Sequence, residues 1–262
     1  MLLGFIFFLS QAFERYVVSG YAQALSYACV ANIEVADAIR INPSALAFLN
    51  RNQISSGYEY TWSGVEGLHN VNVGFARPIP LGGLGLVVSE FGFSEQKEQA
   101  VTAGLGIGLS HDFKIGLGLD LYLINNKRTG YGAACGVDLG MVGRLMKRWS
   151  LGIYCHNLNK PRLGSNEIGE LSPSLQTGFG YRPFNDLSSE IDFSITEDGI
   201  RTHIGGECKI FNFFSLRTGI RTEPQVLNLG AGIFYKFIVV DYAVEYLPEL
   251  PLSHTLTVGY SF

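Results

Sequence analysis

The chain has 262 residues, of which 32 are Gly, 47% are apolar, 13% aromatic and only 16% charged. Glycine stands well above the roughly 7% of an average protein without a three-residue period, which excludes collagen, and the apolar content excludes a disordered chain. A net charge of −4 with no Lys/Arg run longer than Lys127-Arg128 or Lys147-Arg148 disfavours a nucleic-acid-binding surface. Beyond the first dozen residues no stretch is apolar for the roughly 20 positions that a membrane helix needs.

Residues 1–12, MLLGFIFFLSQA, join a short apolar run to the small-x-small sequence Ser10-Gln11-Ala12. This predicts an export signal with the mature chain starting near Phe13, the other reading being a lipid-facing first helix. Residues 13–48 do not alternate and are compatible with helix. They are expected to form a separate N-terminal segment ahead of a domain over 49–262.

From about Gln53 the pattern has period two, the mark of strands with two unlike faces. Val101, Ala103, Leu105, Ile107 and Leu109 alternate with Thr102, Gly104, Gly106 and Gly108, and Ile115 to Leu123 alternate with Gly116, Gly118, Asp120 and Tyr122. One face is continuously apolar, and the other carries Gly, polar and charged groups. A soluble sandwich would cover its polar face with Lys, Glu and Thr, whereas glycine suits a crowded lumen. Fourteen such segments are expected, near 53–62, 68–77, 82–90, 98–109, 113–124, 130–143, 148–158, 173–182, 187–196, 200–210, 213–222, 225–235, 237–247 and 253–262. Many are 9 to 13 residues long, the length of tilted membrane strands, and the even number suits a closed transmembrane antiparallel β-barrel.

Short turns at 110–112, 211–212 and Lys236 alternate with longer connections, the longest from Asn159 to Leu171. Asp198-Gly199 reads as a type I′ turn that sets Thr196 opposite Arg201, Ser194 opposite His203 and Ser188 opposite Lys209. The parity switch at Lys236-Phe237 marks another tight turn. Four widely spaced cysteines form no Cys/His cluster, so no metal is expected and a disulfide is optional.

The polar face carries Asp120, Asp138, His156, Glu190, Asp192, Arg201, His203, Glu207, Arg217, Arg221, Asp241 and Glu245. Charges of both signs on neighbouring strands predict an ion-pair network tying the N-terminal segment to the wall, with Glu34, Asp37 and Arg40 meeting charges such as Arg217 and Asp241. The glycines of that face, among them Gly104, Gly106, Gly116 and Gly140, either make room for the segment or let the strands curve. No Ser/His or Asp/His arrangement stands out as catalytic, so no enzyme and no cofactor is expected.

The chain ends in Leu256, Val258, Tyr260 and Phe262 on one face, which resembles the terminal signal that the bacterial barrel-assembly machinery reads in outer-membrane proteins. Ala24 to Ala47, with Glu34, Asp37 and Asn42-Pro43, resembles the N-terminal segment of the PorV/PorQ group and, more distantly, of FadL-type fatty acid transporters. The resemblance implies a lumenal plug inside an outer-membrane barrel in contact with lipid. It also implies a non-enzymatic role, either transport of small hydrophobic molecules or service as a component of a protein secretion system. A sealed structural or surface barrel, or a barrel hydrolase, is the alternative.

Overall fold

The computed structural model describes residues 12–13, 19–32, 36–63, 67–128, 130–164 and 169–262, with the side chains of Ala36 and Asp37 outside that set. The expected export signal up to residue 11 and Glu34 lie outside the described residues, as does the Asp37 side chain. The barrel strands are β1 (Gln53–Tyr60), β2 (His69–Ile79), β3 (Gly82–Gly92), β4 (Gln96–Gly108), β5 (Phe113–Asn126), β6 (Gly130–Leu145), β7 (Trp149–His156), β8 (Ser174–Phe184), β9 (Leu187–Thr196), β10 (Gly199–Phe211), β11 (Phe214–Arg221), β12 (Val226–Tyr235), β13 (Ile238–Tyr246) and β14 (Ser253–Ser261). Each pairs antiparallel with its sequence neighbours, and β14 returns to β1 through Gln53↔Ser261 to Tyr60↔His254. The chain is therefore a closed fourteen-stranded antiparallel barrel. Beyond the last rung, Phe262 N–H donates to the Asn52 carbonyl at 2.9 Å and Asn52 N–H donates to the Phe262 carbonyl at 3.1 Å. Closure leaves no strand edge unpaired.

Alternation decides which way each residue faces. In β5, Asp120, Tyr122 and Ile124 are buried while Leu117, Leu119 and Leu121 are exposed, and the same inversion of the soluble pattern holds around the wall. Exposed apolar side chains form a belt whose ends carry aromatics. Trp149, Phe184, Phe211, Phe213, Tyr235, Phe237, Tyr260 and Phe262 lie at one end, and Tyr58, Tyr60, Tyr131 and Tyr246 at the other. Apolar belts between aromatic girdles match the hydrocarbon and interfacial layers of a bilayer.

The connections differ by end. The first end is closed by 80–81, 109–112, 146–148, 185–186, 212–213 and 236–237; the second carries 61–68, 93–95, 127–129, 157–173, 197–198, 222–225 and 247–252. The expected hairpin at Asp198-Gly199 is corrected by one position. Gly199 pairs with Thr196, so the turn is Glu197-Asp198, and Arg201 faces Ser194 while His203 faces Asp192. Gly199 takes φ 135°, a conformation open to glycine, and so serves as the first rung of β10. The shift moves every partner by two residues, which leaves the faces unchanged.

The N-terminal segment packs against the inward faces of the strands. Its helix α1 (Gly20–Ala24) starts at Ser19, whose Oγ accepts from Ala22 N–H at 3.3 Å, and ends where Ser26 and Tyr27 adopt positive φ. Two 3₁₀ turns follow, Ala36–Arg40 and Pro43–Phe48. The second is capped by Asn42, with Pro43 in the first position, where its missing N–H costs nothing. All four cysteines are free thiols.

Candidate functional site in the barrel lumen

Glycine sets where the segment meets the wall. A Cβ on Gly116 would overlap the Pro43–Ser44 backbone, one on Gly140 would overlap Asn42 Oδ1, and one on Gly104 would come within 2.5 Å of Ile39 Cγ1. Of the two readings left open by the sequence, room for the segment accounts for these positions. Gly83, Gly152 and Gly219 play the same part against Leu46, Val30 and Leu25, and sequence reasoning missed them. Over this track Asn42 Nδ2 donates to the carbonyls of Val30 at 2.9 Å and Met141 at 3.1 Å, while Asn42 Oδ1 accepts from Ser44 N–H at 3.1 Å. Asn42-Pro43 thus caps a 3₁₀ turn and stitches the segment to β6.

Eight of the twelve titratable residues expected on the polar face fall into three groups. Glu190 and Asp192 point at the segment and accept from its backbone: Asp192 Oδ2 from Cys29 and Val30 N–H, both at 3.1 Å, and Glu190 Oε1 from Ala31 N–H at 2.6 Å. Arg217 lies between Glu207 (2.9 Å) and Asp241 (2.6 Å), with its guanidinium 4.5 Å from the Tyr21 ring. Asp138 accepts from Tyr154 Oη at 2.5 Å and Asn157 N–H at 2.8 Å, and faces His156 Nδ1 at 2.9 Å; Thr102 Oγ1 donates to the adjacent Asp120.

Asp120, Asp138 and His156 bring one possible ligand atom each within 4.8 Å of one another, so they are the group that could hold a metal among the described residues. With the imidazole protonated, the Asp138–His156 contact is already complete as an ion pair.

Arg217 and Asp241 pair within the wall, and the side chains of Glu34 and Asp37, expected to meet such charges, lie outside the described residues. Arg40 reaches Thr102 Oγ1 and the Ala100 carbonyl, both at 2.9 Å. Backbone N–H groups of Cys29, Val30 and Ala31, which leave no trace in a sequence, are donors from the segment to Asp192 and Glu190.

The remaining sites are spread around the wall. His203 Nδ1 lies 2.7 Å from the Ser26 carbonyl, and Glu245 is buried opposite Asn228. Arg201 sits near the second end, 3.6 Å from Asp198, and Arg221 is half-buried at the same rim. Leu256, Val258, Tyr260 and Phe262 all project outward on the closing strand.

Above the Asp138 group the inner wall changes character. Ala100, Tyr122, Ile124 and Ala134 face inward and form an apolar chamber, closed by Leu163 and Leu171 from the 157–173 connection. Phe13 occupies it, 4% exposed, with its ring 4.8 Å from that of Tyr122. Tyr122 Oη donates to Asn157 Oδ1 at 3.1 Å, so one residue floors the chamber with its ring and joins the polar layer with its hydroxyl. Sequence alternation put Tyr122 on the polar face but gave no sign that four apolar residues converge there.

No protein-family model and no curated protein matches the chain. Among solved structures it is similar to the toluene transporter TbuX of Ralstonia pickettii, at TM-score 0.76 and 11% identity over 96% of this chain and 100% of that one. The chain shares its fold with that transporter. CymD, a monoaromatic hydrocarbon channel, gives TM-score 0.72 and 13% identity over 96% of this chain and 99% of that one. A FadL homologue of Pseudomonas aeruginosa gives 0.68 and 11% over 94% and 98%. At these identities the likeness is one of fold.

Proposed function

We propose that the chain is an outer-membrane barrel that passes small hydrophobic molecules, aromatic hydrocarbons foremost, and that its N-terminal segment closes the lumen at rest. The observation that carries this reading is the apolar chamber: four inward apolar residues and two from the 157–173 connection enclose one aromatic ring, in a wall whose other buried positions are largely Gly and polar residues with a few apolar ones such as Ala76, Val87 and Val142. A polar lumen favours water and ions, whereas an apolar chamber of this kind lowers the free energy of a hydrocarbon by about 25 cal/mol per Å² buried. The aromatic girdles and the apolar belt support membrane placement, and the shared fold with two hydrocarbon channels supports the substrate class. The end with short turns would then face the periplasm and the 157–173 end the exterior.

Flux of a monoaromatic hydrocarbon into liposomes carrying the purified barrel tests the reading. The native chain is expected to accelerate entry, and Ala134→Trp, which fills the chamber, to lower the rate by about tenfold. A secretion-system component or a sealed structural barrel would give no flux in either form, and that result would overturn the transport reading.

A further inference from the structure

The geometry points to a binding site for an anionic phospholipid on the outer wall at the first end, across β12, β13, β14, β1 and β2. One line of outward-facing cross-strand partners runs over these strands: Tyr235↔Ile238, Ile238↔Tyr260, Tyr260↔Ile54 and Ile54↔Phe75. All five side chains are exposed, so they form an apolar and aromatic shelf on the lipid side of the wall. Aromatic rings in such a position lie at headgroup depth, with the acyl chains running along the apolar residues below them.

Three exposed cations stand at the outer edge of that shelf. Arg51 precedes β1, Arg77 continues the lipid face of β2 two positions past Phe75, and Lys236 lies in the β12–β13 turn. The Arg51 guanidinium lies 5.2 Å from the Phe237 ring and Lys236 Nζ 5.3 Å from the Tyr235 ring, so two of the three are held against aromatics. Among the described residues none of the three forms an ion pair. Segments 49–54, 75–84 and 233–240 contain no Asp or Glu, and counting a carboxylate at Phe262 still leaves the patch positive. The second end is built differently: there Lys97, Lys127, Lys160 and Arg162 pair with Glu90, Glu95, Glu197 and Glu170. Cations without acids beside a membrane interface attract phosphate, and Arg presents a fork of donors that matches it. A headgroup carrying its own ammonium already neutralises its phosphate, so the ligand that fits is a phospholipid of net negative charge, such as phosphatidylglycerol.

The site rests on the membrane placement above and not on what passes the lumen, so its failure leaves the transport reading to its own flux test. The purified full chain in detergent is titrated with phosphatidylglycerol or with phosphatidylcholine of the same acyl chains, and bound lipid is counted by native mass spectrometry. Phosphatidylglycerol is expected to bind roughly tenfold more tightly, and about 0.5 M NaCl to remove most of that preference. Arg51→Gln, Arg77→Gln and Lys236→Gln are each expected to weaken its binding by about fivefold, while Lys127→Gln at the second end leaves it unchanged. Equal affinity for the two lipids, or an equal loss in Lys127→Gln, overturns the site. Displacement of the lipid by inorganic phosphate would mark a free-anion site and overturn the lipid assignment. Where the variants do not assemble, a photoactivatable phosphatidylglycerol is crosslinked to the native barrel. Crosslinks within 49–54, 75–84 or 233–240 are then expected, and crosslinks confined to other segments overturn the inference.

Discussion

Arg217 shows how one residue depends on an absent side chain. It reaches Asp241 two strands away because Gly232 lies between them: a Cβ there would stand 2.6 Å from Arg217 Nη2 and 2.7 Å from Asp241 Oδ1. Alternation puts Glu207, Arg217 and Asp241 on one face, so the charges were legible, but their pairing depends on barrel register and on that glycine. Arg217→Met leaves two buried carboxylates facing one another and is expected to lower stability by about 3 kcal/mol, read as thermal unfolding in detergent. The outward Leu216→Met is expected to cost under about 1 kcal/mol. Equal melting of the two variants would contradict the pairing. Cys29 behaves differently again: burial, and then the Glu190 and Asp192 carboxylates, push its thiol well above the ordinary range. A raised pKa keeps the thiol neutral through pH 7 to 9, so maleimide should leave Cys29 unmodified in the folded protein and modify it after boiling.

At the scale of elements, strand number and facing were readable because each inward position differs in chemistry from its outward neighbour. Turn position was less readable. Moving the β9–β10 turn from Asp198-Gly199 to Glu197-Asp198 shifts the register by two residues, and a period-two pattern is blind to that shift. The β12–β13 turn was visible because the parity of the apolar run switches there, and Lys236 in that turn takes φ 54°. Lys236→Gly should relieve about 1 kcal/mol of strain and raise the unfolding temperature by a few degrees, whereas a fall would show that the lysine side chain matters more than the torsion. Phe262→Ser keeps the backbone rungs to Asn52 but removes the outward terminal aromatic beside Tyr260, whose ring lies 5.7 Å away. Lower membrane yield without a change in the melting of the inserted fraction is the outcome expected if that side chain is read during assembly.

Among the described residues, the barrel is inverted relative to a soluble protein: apolar outside, polar and glycine-rich inside, with the core made between the wall and residues 12–13, 19–32 and 38–48 of the N-terminal segment. Glu190, Asp192 and Arg40 hold the segment, and the glycine track lets it lie against the wall. The central claim is that this segment closes a membrane-spanning lumen. Conductance in a planar bilayer tests it most directly, comparing the full chain with one lacking residues 20–48, each checked for heat-modifiable gel mobility. The account predicts an almost insulating full chain and a deletion variant with steady, much larger conductance. Equal conductance from the two assembled barrels would contradict it.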